Sequence, residues 1–174
     1  IHSIFGDGCA AVVLGGCPEN LAQGLGKIAI TEHFSHLFED TEDGIVLGIE
    51  DNGITCKLSR NLPNYIEAGV GAIIEDFLAS QELTKADIAL WAVHPGGTKI
   101  IQKAQASLGL TDAQVALSWE MLSKYGNMLS ASVLFVMEQM FERLENNAKS
   151  EPVTGIAFSF APGVGLEGML FQQM

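Results

Sequence analysis

Residues 88 to 97 read Ile88-Ala89-Leu90-Trp91-Ala92-Val93-His94-Pro95-Gly96-Gly97, and the first six decide the fold class. A strand with one wet face alternates apolar and polar residues. This one is apolar on both sides, as a central strand covered on both faces should be. Pro95 removes a backbone donor, so the ladder stops there. Two glycines then lead into Thr98 to Leu108, whose spacing predicts a helix. A buried strand running straight into a helix indicates an α/β chain, with helices packed on a sheet.

The flanking sequence extends this reading. Upstream, Cys9 to Gly15 is short, apolar and β-branched, which predicts a buried strand. Lys27 to Phe38 predicts a second. Asn52-Gly53 between two apolar runs predicts a hairpin, because both turn positions favour positive φ. Pro63 suits the first turn of a helix, and Ile66, Val70, Ile73, Ile74, Phe77 and Leu78 recur at helical spacing. Downstream, Thr111 caps a helix that Tyr125-Gly126 closes. Met128 to Asn146 reads as a helix apolar on nearly every side in its first half, so it is expected in the middle of the protein. Ser130, Ala131 and Ser132 within it are small enough to admit close neighbours. Thr154 to Phe160 and Leu166 to Gln172 close the chain as strands. Together these predict a single domain over residues 1–174, with a mixed five-stranded sheet, helices packed on it and one central buried helix.

Composition narrows the function. The 174 residues are 48% hydrophobic and 17% charged, so several segments are expected to be buried on both sides. Nine Lys and Arg against 21 Asp and Glu give a net charge of −12, a field that repels nucleic acid and anionic lipid surfaces. No run reaches the roughly 18 apolar residues of a membrane span. The start, Ile1-His2-Ser3, has neither a Met nor a basic flank and reads as an excised or processed piece. Cys9, Cys17 and Cys56 show no metal or CxxC spacing and read as buried small hydrophobes in a reducing cytoplasm. His33 and His36, with Asp40, Glu42 and Asp43 nearby, read as a solvated strand edge and turn rather than a metal site.

The chemistry-bearing residues are His94, at the end of the buried strand, and Asn127, just before the apolar helix. Four segments carry a resemblance. They are Phe5-Gly6-Asp7-Gly8-Cys9-Ala10-Ala11, Trp91-Ala92-Val93-His94-Pro95-Gly96-Gly97, Tyr125-Gly126-Asn127-Met128 and Phe158-Ser159-Phe160-Ala161-Pro162-Gly163. In this order they resemble the C-terminal half of a type III polyketide synthase, the chalcone- and stilbene-synthase-like branch of the thiolase superfamily. The resemblance implies a thiolase-like fold and a Cys–His–Asn triad, with His94 and Asn127 as its His and Asn. It implies acyl-coenzyme A and malonyl-coenzyme A as substrates, no separate cofactor or metal, a decarboxylative condensation, and a homodimer in the full-length protein. The nucleophilic Cys belongs to the family's N-terminal half, so this chain alone is expected to be inactive.

The physical need for each residue is independent of the resemblance. A reactive thiol needs a lowered pKa, which a neighbouring imidazolium provides. Decarboxylation places negative charge on a thioester oxygen, and each preorganised N–H donor facing it lowers the barrier by ~3–4 kcal/mol. Gly96 and Gly97 let backbone approach a pantetheine arm. Lys99 and Lys103, one turn apart after a helix start, read either as help in holding coenzyme A or as solvated lysines. Against the plant pattern, Cys56 is small and Leu129 stands where Ser is usual. With Phe160 and Pro162 of the closing loop, these two are expected to shape the substrate pocket, in favour of an aliphatic starter. Two other readings stay open: a ketoacyl-ACP synthase III, and a non-catalytic assembly domain of the same fold. A thiolase fits less well, because its second Cys should fall within 159–165.

Overall fold

The computed structural model of the chain describes residues 4–16, 28–51, 53–145 and 152–173. The main sheet is mixed. Its strands are β1 (Ile28–Leu37), β4 (Leu90–Val93), β5 (Val153–Ala161) and β6 (Gly165–Gln173), in the spatial order β1-β6-β5-β4. β6 runs antiparallel to both neighbours, and β4 runs parallel to β5. A separate hairpin, β2 (Ile45–Glu50) and β3 (Gly53–Leu58), is joined to the sheet by mutual 2.8 Å backbone hydrogen bonds between Ile45 and Gly163. The last paired residues at its tip are Glu50 and Gly53. Asn52 lies outside the described residues.

The parallel pair β4 and β5 needs a long crossover, which three helices supply: α2 (Thr98–Leu108), α3 (Asp112–Tyr125) and α4 (Ala131–Glu145). Helix α1 (Leu62–Ser80) precedes β4. Successive strand residues point to opposite faces, and this sorts the core in two. Trp91, Val93, Ile156, Phe158, Leu166 and Leu170 meet α1 and α2 through Ile66, Val70, Ile74, Ile101 and Leu108. Ala92, Ala157 and Phe171 meet Met121 of α3 and Val136, Met137, Met140 and Phe141 of α4. Helices therefore cover both faces, as the doubly apolar β4 requires. Each fully buried Ile, Leu or Val contributes ~1.5–3 kcal/mol. The Trp91 indole N–H donates to the Ile88 carbonyl at 3.0 Å, so burial leaves it satisfied.

Three expectations are corrected. Cys9 to Gly15 forms no ladder among the described residues and is largely exposed, with Val13 99% accessible. Its composition favours a strand, but it pairs with no described strand, although β1 and β4 each have an unpaired edge. The main sheet therefore shows four strands among the described residues, not five. Two of the cysteines are not buried hydrophobes: Cys9 is exposed and Cys56 half-buried, while Cys17 lies outside the described residues. Helix α4 starts at Ala131 rather than Met128, because Leu129 has a left-handed φ of +57° that a right-handed helix cannot run through. One side of α4 packs on the sheet, and Val133, Leu134 and Phe135 are only partly buried.

Candidate active site

His94 follows the last residue of β4, where the ladder gives way to Pro95. Its backbone N–H still donates to the Phe158 carbonyl at 3.0 Å, so it is held as firmly as a strand residue. The imidazole is 8% exposed, and its Nδ1 is buried with no hydrogen-bond partner among the described residues. Burial without a compensating charge pulls its pKa from the ordinary 6.5 down to about 4. At neutral pH the ring is therefore uncharged, with one N–H to donate and one lone pair to accept.

Asn127 is 6% exposed and lies in the link between α3 and α4. Its Nδ2 donates to the Gly96 carbonyl at 3.1 Å, and its Oδ1 accepts the Leu129 N–H at 2.9 Å. The opposite amide orientation would set donor against donor and acceptor against acceptor, so the network selects this one. One Nδ2 hydrogen serves Gly96, and the second remains for a ligand.

Gly96 is where the two residues meet. A Cβ placed on Gly96 would lie 3.1 Å from His94 Cδ2 and 3.3 Å from Nε2. The imidazole thus packs against the Cα of the residue whose carbonyl anchors the carboxamide. Two side chains distant in sequence both contact Gly96.

The backbone around Asn127 is clamped by the Phe5-Gly6-Asp7-Gly8 segment, which pairs with it in parallel. The Asn127 N–H donates to the Ile4 carbonyl at 2.6 Å, and the Gly6 N–H donates to the Asn127 carbonyl at 3.0 Å. Glycine is required at this crossing. A Cβ on Gly6 would run into the Tyr125 carbonyl, while one on Gly126, whose φ is +73°, would lie 2.8 Å from the Ile4 oxygen.

The remaining candidates are more scattered. Gly97 is the N-cap of α2. Lys99 is exposed on the first turn of that helix, and Lys103 is taken up by Glu67 at 2.5 Å. Leu129 is adjacent to the site but 60% exposed. Phe160 is half-buried with its ring edge-on to Phe158, and Pro162 is exposed. Cys56 sits on the hairpin opposite Leu47, and no described contact ties it to His94. No cluster of His, Cys, Asp or Glu suited to a metal occurs among the described residues, and no described helix is long and apolar enough to cross a membrane. Sequence reading missed Ser118, and took Ser132 only as a small residue. Both are fully buried, and both hydrogen-bond to backbone beside the site. Ser118 could have been noticed as a hydroxyl on the apolar face of α3, three residues from both Val115 and Met121.

Helices on both faces of a mixed sheet give the chain a thiolase-like fold. The chain belongs to the chalcone and stilbene synthases, whose C-terminal domain matches residues 30–174. It is 50% identical over 171 residues to the alpha-pyrone synthesis polyketide synthase-like Pks18 of Mycobacterium tuberculosis, covering 98% of this chain and 43% of that protein. It is 32% identical over 182 residues to type III polyketide synthase 10 of Oryza sativa subsp. japonica, covering 99% of this chain and 44% of that one. Among solved structures, PKS-I from the brown alga Ectocarpus siliculosus superposes with a TM-score of 0.79 at 48% identity, covering 84% of this chain and 40% of that chain. The chain thus spans about two-fifths of the length of these relatives.

Proposed function

We propose that this chain is the C-terminal half of a type III polyketide synthase-like acyltransferase, and that His94 and Asn127 stabilise the anionic oxygen formed on decarboxylation of malonyl-coenzyme A. The observation that carries this reading is the meeting of both side chains at Gly96, each buried and each with hydrogen-bonding capacity left over. In this scheme the malonyl C–C bond breaks to release carbon dioxide, and its electron pair forms an enolate whose oxygen accepts the two N–H bonds. The enolate carbon then attacks an acyl-cysteine thioester, forming a C–C bond and expelling the thiolate. The neutral imidazole is also suited to take the thiol proton when the enzyme is first acylated.

The nucleophilic cysteine would come from a preceding half of the protein. Cys9 is exposed and Cys56 lies on the hairpin, so the 174 residues alone are expected not to condense substrates. Acyl and proton transfer need only a thiolate and N–H donors, and we propose no metal or redox cofactor. The partners proposed are acyl-coenzyme A, malonyl-coenzyme A, the preceding half and a second copy of the full-length protein. Given the 50% identity with Pks18, an α-pyrone is the product class to seek first. The test is to incubate the full gene product with a panel of aliphatic and aromatic acyl-coenzyme A starters and malonyl-coenzyme A, and to identify products by mass. Carbon dioxide release and polyketide formation with at least one starter are expected; no release with any starter contradicts the proposal.

A further inference from the structure

Two fully buried serines stand next to the site without facing it. The peptide that joins Val93 to His94 is hydrogen-bonded at both ends. Its N–H donates to the Phe158 carbonyl at 3.0 Å, and its carbonyl accepts the Ser118 hydroxyl of α3 at 2.6 Å. Among the described residues β4 is the edge strand of its sheet, so a carbonyl pointing away from β5 has no ladder partner and Ser118 supplies one. The peptide that joins Asn127 to Met128 is held in the same way. Its carbonyl accepts the Gly6 N–H at 3.0 Å, and its N–H donates to the Ser132 hydroxyl at 2.7 Å.

A second feature makes the Asn127 side the more demanding. Leu129 holds a φ of +57°, a conformation that costs a non-glycine residue free energy. Around it close three bonds: Leu129 N–H to Asn127 Oδ1 at 2.9 Å, Ser132 N–H to the Leu129 carbonyl at 3.1 Å, and Met128 N–H to Ser132 Oγ. Ser132 thus takes part in two of the three bonds that hold the strained turn, and the third involves the Asn127 side chain itself.

We infer that Ser118 and Ser132 are positioning residues, which fix the peptides beside His94 and Asn127 and so aim the two N–H donors at one point. Neither touches substrate. The inference rests on the functional reading above. A donor displaced by a fraction of an ångström loses most of its advantage, because the stabilisation depends on preorganised geometry.

The test uses the full gene product and measures malonyl-coenzyme A decarboxylation for Ser118→Ala and Ser132→Ala, with rates corrected to the folded fraction. Each substitution is expected to lower kcat about tenfold while KM stays within about twofold. In an Asn127→Ala background, Ser132→Ala is expected to cause no further loss, since it acts through Asn127, whereas Ser118→Ala should still slow the residual rate. Wild-type kcat in both variants, or an equal additional loss from Ser132→Ala in the Asn127→Ala background, overturns the inference. Should an Ala variant fail to fold, Ser→Cys at the same position decides: similar in size but weaker in hydrogen bonding, it is expected to be several-fold slower, and a wild-type rate overturns the inference. If Asn127→Ala itself decarboxylates at the wild-type rate, the functional reading falls. If only the serine variants do, that reading stands and this inference alone fails.

Discussion

Asn127 and Gly96, far apart in sequence, are joined by a 3.1 Å hydrogen bond from the carboxamide Nδ2 to the glycine carbonyl, on the same residue that the His94 ring packs against. Gly96 thus lies in contact with both side chains. Gly96→Ala would place a methyl 3.1 Å from His94 Cδ2, tighter than ordinary carbon contact. The ring is buried and has little room to yield. The expected result is a roughly tenfold to hundredfold lower decarboxylation kcat in the full gene product, with the circular dichroism spectrum unchanged.

Acid should weaken the fold through His94. Its folded pKa of about 4 lies below the ordinary 6.5, so between these values the unfolded chain binds a proton that the folded chain refuses. The contribution is fully present above pH 6.5, fades as pH falls, and is gone below about 4. It amounts to ~3 kcal/mol over that window. Urea unfolding of wild type and His94→Gln at pH 7 and pH 4.5 measures it. The gap between the two proteins is expected to shift in favour of the variant at the lower pH, and a gap independent of pH would contradict this.

The clamp on Asn127 should be sensitive at Gly126. With φ at +73° and the Ile4 carbonyl oxygen 2.8 Å from any added Cβ, Gly126→Ala meets both backbone strain and a backbone clash. A loss of about 1–3 kcal/mol is expected, read as a lower Tm. A control at Gly109 separates the two effects: its φ is +66° but no atom lies within 4 Å of an added Cβ. Gly109→Ala should therefore cost less.

The elements legible in the sequence were those whose own pattern is sufficient. The Thr111 cap and the helical stripe of α1 appear where expected, while the apolar 88–93 run forms a strand only over Leu90–Val93, covered on both faces but at the edge of the sheet among the described residues rather than at its centre. The misreadings share a cause. Cys9 to Gly15 has the composition of a buried strand, but burial depends on a partner surface that composition does not supply. The start of α4 is set by the backbone of Leu129, which occupies a conformation its residue type disfavours. Ser132 was legible as a small residue, but its hydroxyl matters because of a peptide brought to it by the α3–α4 link. His94 and Asn127 were legible as a pair only through the resemblance, since nothing local in either segment indicates that both reach Gly96.

The most direct measurement is carbon dioxide release from malonyl-coenzyme A by the full gene product and its His94→Ala and Asn127→Ala variants. Each substitution removes one N–H from the developing anionic oxygen, and the expected loss in kcat is ~10²–10³-fold per donor, with the fold retained. Folded variants that release carbon dioxide at the wild-type rate would show that His94 and Asn127 do not serve that oxygen.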